Sequence, residues 1–248
     1  NVIFGGVLQE MSKIDISICA SAIRTKWWQE FYNSLKGNTV TYEVIFVGNK
    51  KPEFELPYNF KWIYSEECPA KCYQIAFDTA QGELINWTAD DVTYSPHALD
   101  IAYDFWHLFD NGGKIIVAFN CIENGSPTSK GHRIDKENSP LMAPIGLISR
   151  DWLEKLGGYD NRFYCGQSEN DLTMRMYEIG GGVEICRDAI VYIEHNKKHE
   201  GKSIFRTEDG FEYHLKDRKF LESCWIKEDK SISNTRLIPF QSFEEKKL

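Results

Sequence analysis

The chain has 248 residues, 42% of them hydrophobic and 14% aromatic, which is enough to bury a sizeable core and excludes global disorder. Its net charge of −8, from 37 acidic against 29 basic residues with no Lys/Arg stripe, excludes a non-specific nucleic-acid binder. The seven cysteines (Cys19, Cys68, Cys72, Cys121, Cys165, Cys186 and Cys224) are odd in number and scattered, so they read as reduced thiols of a cytoplasmic protein rather than a disulfide framework or zinc site.

No run approaches the roughly 18 apolar residues of a membrane span, which leaves peripheral association as the membrane role to expect. Residues 1–11 show neither the charged start nor the apolar stretch of a secretion signal, and read as an extension of cloning origin or a trimmed one. From there the elements follow in order. Ile14–Cys19 alternates and is β-rich, so it predicts a first strand. Arg24–Leu35 carries Trp27, Trp28, Phe31 and Leu35 at helical spacing and closes at Gly37. Tyr42–Val47 is a nearly continuous apolar run, as suits a parallel strand covered on both faces. Phe60–Tyr64 predicts a third strand, Pro69 opens a helix to about Gln81, and Glu83–Trp87 is another buried strand.

Strand–helix alternation on this rhythm predicts an α/β fold with a mostly parallel, doubly wound sheet. A helix from Pro96 to about Phe109, a strand at Lys114–Phe119, and a polar, aperiodic loop over 120–140 come next. Helices are expected over 149–156 and 170–179, and one or two strands over 183–193. Residues 197–248 read as a charged extension that packs on the domain.

Two segments carry chemistry. Trp87-Thr-Ala-Asp90-Asp91-Val92 directly follows a buried strand, and open α/β sheets bind ligands beyond the carboxyl ends of their strands. Adjacent carboxylates repel, so a cation such as Mg²⁺ or Mn²⁺ is their natural compensation. Taken alone, Asp-Asp is more often a solvated turn. The second segment runs from Leu156 through Gly157-Gly-Tyr-Asp160 to Glu169-Asn-Asp171 and Arg175. Carboxylates at a helix start are often only caps, with Arg175 an i+4 partner of Asp171, yet one placed there can also deprotonate a hydroxyl. His195 ends the last strand. Lys197, Lys198, His199 and Lys202 follow in a polar loop.

These stretches together resemble a GT-A glycosyltransferase of the large inverting family 2 type, over about Ile14 to His195. The resemblance is carried by Ile16–Arg24, by Glu43–Gly48, by Ala80-Gln-Gly-Glu through Asp91-Val with Pro96-x-Ala-Leu99, and by Gly157-Gly-Tyr-Asp-x-x-Phe163 with Glu169-Asn-Asp171-Leu-x-x-x-Arg175.

It implies a nucleotide-binding half over about 12–95 and an acceptor half over about 140–196. Ala20, Ser21, Ile23, Arg24, Gly48, Lys71 and Asp90 would then contact the nucleotide sugar. Asp91, with His195, would hold Mn²⁺ or Mg²⁺, and Glu169 or Asp171 would be the catalytic base, Glu169 ranking first. Ala89 stands where many relatives have the first Asp of D-x-D. The reaction implied is transfer of a sugar, with inversion, from a nucleotide sugar (UDP-linked as the leading choice) to a hydroxyl of a glycan, lipid-linked or protein acceptor. The competing readings are a non-catalytic nucleotide- or carbohydrate-binding module and, lower, a sugar nucleotidyltransferase, since Ala20–Arg24 lacks the glycines of a phosphate loop.

Overall fold

The computed structural model describes residues 13–109, 113–128, 140–194 and 208–243. Its first half is a parallel sheet. β1 (Ile16–Ser21) pairs with β2 (Tyr42–Gly48) and β4 (Leu84–Trp87), and β2 pairs with β3 (Phe60–Tyr64). The apolar run of β2 is buried from Glu43 onward because both of its faces are covered. On one face Val44 and Phe46 join Trp28 and Phe31 of α1 (Thr25–Ser34), and on the other Ile45 and Val47 join Cys72, Ala76 and Phe77 of α2 (Pro69–Thr79). Strict alternation along a buried strand thus feeds two separate cores.

The second half mixes directions. β8 (Gly146–Ser149) runs antiparallel between β4 and β6 (Ile115–Glu123), β9 (Gly182–Ile193) is parallel to β6, and β5 (Val92–Tyr94) lies antiparallel on β9. Among the described residues nine strands form one sheet in the order β3-β2-β1-β4-β8-β6-β9-β5, with the short β7 (Ser126–Pro127) off β6. Helices α3 (Ala98–Leu108), α4 (Arg150–Leu156), α5 (Ser168–Glu178) and α6 (Glu208–Trp225) complete it. The parallel expectation holds from β1 to β4. The four residues of β8 and three of β5 are too short for periodicity to mark, and the sequence reading had neither. Residues 129–139 of the long loop lie outside the described residues.

The C-terminal stretch is tied into the fold by a buried ionic network. Asp171 Oδ2 accepts from Arg175 Nε at 2.9 Å, while its Oδ1 accepts from Trp225 Nε1 and Arg236 Nε, each at 2.9 Å. Arg236 Nη2 reaches Asp160 Oδ2 at 2.9 Å, and Arg162 Nη2 reaches the same atom at 2.6 Å. Both carboxylates are fully buried. Around them Phe163, Met174, Leu221, Cys224 and Trp225 form a third apolar cluster. Removing one member leaves buried charges without partners, which typically costs 3–5 kcal/mol. Asp171→Asn and Arg236→Ala are therefore each expected to lower stability by roughly 3–5 kcal/mol, read as a lower urea midpoint at unchanged slope.

Candidate functional site

The carboxyl ends of the parallel strands β1, β2 and β4 lie side by side at one edge of the sheet, and the turns beyond them pack together there. The turn after β1 lies against β2: Ala22 N–H donates to Val47 O at 2.8 Å. A side chain at Gly48 would place its Cβ 2.0 Å from Ala22 O, so only glycine lets the two chains come this close. Ala20 is buried here, Ser21 is half-buried, and Ile23 is exposed.

Asp90 and Asp91 form the turn from β4 into β5. Their roles divide, as two adjacent acids at a strand end require. Asp90 is fully buried, and its Oδ2 accepts from Ile23 N–H at 2.7 Å, Arg24 N–H at 2.6 Å and Trp28 Nε1 at 3.1 Å. Its Oδ1 is bonded to Arg24 Nη1. Three protein donors thus crowd Oδ2 and a fourth takes one of the two lone-pair sites of Oδ1. Asp90 thereby clamps the start of α1 to the end of β4, and it is a brace rather than a free ligand for ribose or metal. Asp91 sits beside it, with Oδ1 3.3 Å from Arg24 Nη1. Trp28, one of the tryptophan pair, is core.

The far wall comes from α5. Gln167, its N-cap, takes a left-handed backbone (φ 66°), which costs a non-glycine residue energy and reorients the chain into the helix. Asn170 Nδ2 holds Gln167 Oε1 at 2.9 Å. The preceding loop is pinned from α6, where Asp217 accepts the backbone N–H groups of Tyr164 at 3.0 Å, Cys165 at 2.7 Å and Gly166 at 2.9 Å. Nothing in the sequence marked Asp217, because its partners are backbone groups about 50 positions earlier.

Glu169 lies in the first turn of α5. Burial is the largest influence on its carboxyl and raises it to about 7; the charge of Asp217 adds to this, while the backbone N–H groups of Glu169 itself and Gln167 pull the other way. Asp171, two residues on, belongs to the ionic network and has no exposed surface. It is corrected here from possible base to structural anchor, since a base needs a lone pair that substrate can reach.

Tyr73 joins the two walls. Its hydroxyl donates to Thr88 O at 2.5 Å, and its ring packs 5.5 Å from that of Tyr159. Burial raises the Tyr73 phenol far above its usual value; Glu169 and Asp90 raise it further, Arg24 opposes them, and Asp91 adds a smaller rise. One hydroxyl therefore feels the acids of both walls. The charges of Glu169 and Asp91, 78 positions apart in the sequence, thus both reach the Tyr73 hydroxyl.

Lys71 sits on the first turn of α2 with its ammonium 4.6 Å from the centre of the Phe243 ring, on the C-terminal stretch. His195, Lys197, Lys198, His199 and Lys202 lie outside the described residues. Among the described residues no group of three or more His, Cys, Asp or Glu side chains is arranged to hold a metal. With Asp90 spent, the donor set fits a hard cation that keeps most of its ligands as water and phosphate oxygen, with Asp91 as protein carboxylate, rather than a closed protein cage.

A carboxyl group whose proton affinity rises on folding binds more protons folded than unfolded between its ordinary value of 4.5 and about 7, so stability falls as pH rises through that window. Glu169→Gln is accordingly expected to melt higher than the parent at about pH 8, with the difference fading as pH approaches 4.5. Parallel thermal melts at the two pH values check it.

No family model and no curated protein matches the sequence. Solved structures do match. GalNAc-T7 with UDP, GalNAc and Mn²⁺ aligns at TM-score 0.64 and 11% identity, over 88% of this chain and 49% of that one. S. aureus TarS 1-349 in complex with UDP aligns at TM-score 0.58 and 16% identity, over 73% of this chain and 60% of that one. The mannosyltransferase PcManGT from Pyrobaculum calidifontis, in complex with GDP-Man and Mn²⁺, aligns at 0.57 and 12%, over 76% and 59%. The chain thus spans less than two thirds of the length of each. At these identities it is the architecture that is shared: the chain has the GT-A glycosyltransferase fold.

Proposed function

We propose that the protein transfers a sugar, with inversion, from a nucleotide-sugar donor to an acceptor hydroxyl. What supports this reading is that the charges of Glu169 and Asp91 both reach the Tyr73 hydroxyl, which bonds to Thr88 O just beyond the carboxyl end of β4. That is where open α/β sheets take their ligands. The nucleotide lies along the turn 20–24 and Gly48, within the nucleotide-binding half at about 12–95. The acceptor enters against the half at about 140–196. A UDP-linked donor is favoured by the UDP complexes of TarS and GalNAc-T7. Residues 197–248 form an extension, of which 208–243 seals the acceptor side.

In the reaction the acceptor oxygen attacks the anomeric carbon as its proton passes to the Glu169 carboxylate. The bond from that carbon to the diphosphate oxygen breaks, and its electron pair leaves with the nucleoside diphosphate. A carboxyl held near 7 is well matched to this task, because it is ionised for about half the molecules at neutrality and still accepts a proton readily. Tyr73 and Tyr159 exclude water beside it. Asp91, with His195, would hold Mn²⁺ or Mg²⁺, which would supply Lewis-acid stabilisation of the leaving diphosphate. Arg24 braces the Asp90–Asp91 turn and fixes the direction of the Asp91 carboxylate.

We assign the protein to a reducing, cytoplasmic setting because none of the seven cysteines is joined in a disulfide. No described helix is long and apolar enough to cross a membrane. A non-catalytic binding module is the second reading, favoured by Ala89 and by the full commitment of Asp90 to protein donors.

Incubating the protein with UDP-, GDP-, CMP- and TDP-sugars, with and without Mn²⁺, and following free nucleotide separates the two. Metal-dependent release is expected, rising with pH through about 7. Glu169→Gln is expected to lower the rate by roughly 10²–10⁴-fold and to remove that pH limb. Asp91→Ala is expected to lose roughly 10²-fold or more. Undiminished metal-dependent transfer by Asp91→Ala overturns the metal assignment.

A further inference from the structure

A cavity of about 370 Å³ lies at the opposite end of β1 and β4 from Asp90 and Asp91. Ile14 and Glu83, which border it, immediately precede those strands, and Ser149, at the end of β8, pairs with Leu84 beside them. Trp106 of α3 and Trp152 of α4 close it. The proposed transfer uses nothing at this end of the sheet.

Trp152 is held at the wall by its neighbours. Its backbone N–H donates to Ser149 Oγ at 3.3 Å, and a Cβ at Gly113 would stand 3.1 Å from its Nε1, so glycine lets the ring lie this close. Two ammonium groups gather on that one ring, Lys155 at 4.5 Å from its centre and Lys114 at 5.5 Å. Arg150 also lines the cavity, and its guanidinium makes one long contact, Nη1 to Ala80 O at 3.5 Å. Among the described residues no carboxylate pairs with Arg150, Lys155 or Lys114, whereas Lys13 and Glu83 pair with each other. Asp151 is the remaining acid of the lining. Lys13, Arg150 and Lys155 against Glu83 and Asp151 leave the lining with one net positive charge, and Lys114 adds another at the Trp152 ring. Trp106 is 5% exposed, and its Nε1, which can only donate, finds no acceptor among the described residues.

We propose that this cavity binds a small organic phosphate. A phosphate monoester carries a charge of about −1.5 to −2 at neutral pH, which matches cations that the protein leaves without a counter-charge. Arg150 and Lys155 meet the phosphate oxygens, and a ligand oxygen at the Trp106 wall supplies the acceptor that indole lacks. Ile14 and Trp152 offer apolar area to the carbon body. The volume falls within the range of small-ligand pockets, roughly 300–1,000 Å³. The inference stands apart from the transferase reading, because none of these residues takes part in it.

Glucose 6-phosphate, glucuronate and glucose are titrated into the full chain by calorimetry, with and without excess UDP and Mn²⁺. Glucose 6-phosphate is expected to bind at least about 10-fold more tightly than the other two, and UDP with Mn²⁺ to leave its affinity unchanged. Arg150→Gln and Lys155→Gln are each expected to weaken it roughly 5–10-fold, and Asp151→Asn to strengthen it about threefold by removing a repelling charge. Lys155 and Asp151 are exposed, so changing them leaves the core intact, and thermal melts check that each variant folds. Equal binding of glucose or glucuronate overturns the proposal, as does unchanged affinity in folded Lys155→Gln and Asp151→Asn. Displacement of glucose 6-phosphate by UDP also overturns it, by placing the phosphate in the nucleotide site instead.

Discussion

A carboxylate withdrawn from water must be met by donors or by a counter-charge, and this constraint sorts the acids of the chain. Asp90 is met by the start of α1, Asp160 and Asp171 by three arginines, and Asp217 by a run of backbone N–H groups. Each is met by several protein donors and holds two distant segments together. Glu169 is met less completely. Its proton affinity rises because burial is only partly offset, which is the condition that suits a group to exchange protons with a substrate.

The same braces position the cleft. Asp90 fixes the β1–α1 turn to the β4–β5 turn, and Asp217 fixes the loop leading into α5. Trp87 adds a third tie from the floor to the β8 approach: its Nε1 donates to Ala143 O at 2.9 Å, and its ring sits where a Cβ at Gly146 would fall. Chemistry that depends on sub-ångström placement needs such support behind the reacting groups. Here the support comes from residues spread from Ala22 to Arg236, so the C-terminal stretch is as much a part of the site's scaffold as β1.

Much of this architecture was legible from the residues. β1, β2 and β4 announce themselves by alternation or by continuous apolar runs, and the Gly-Gly-Tyr-Asp and Glu-Asn-Asp segments locate the second wall. What stayed hidden has physical causes. β5 and β8 are shorter than the period needed to detect them. Asp90 and Asp91 look alike in one dimension, and only the arrival of Ile23, Arg24 and Trp28 from 62 to 67 positions away tells them apart. Glu169 and Asp171 both read as helix-start acids, and their separation depends on Trp225 and Arg236, whose contribution no local pattern encodes. His195 remains a reading of the sequence.

The Arg24 guanidinium touches both acids of the cleft floor. Two negative charges and one positive leave that floor with a single net negative charge. Such a surface holds a lone divalent ion only loosely, and with the ion in place its sign reverses and becomes hospitable to a diphosphate. On the proposed reading, cation and nucleotide would assist each other's arrival by mutual charge compensation. Such a floor would fill cooperatively, and would empty the same way once the diphosphate departs.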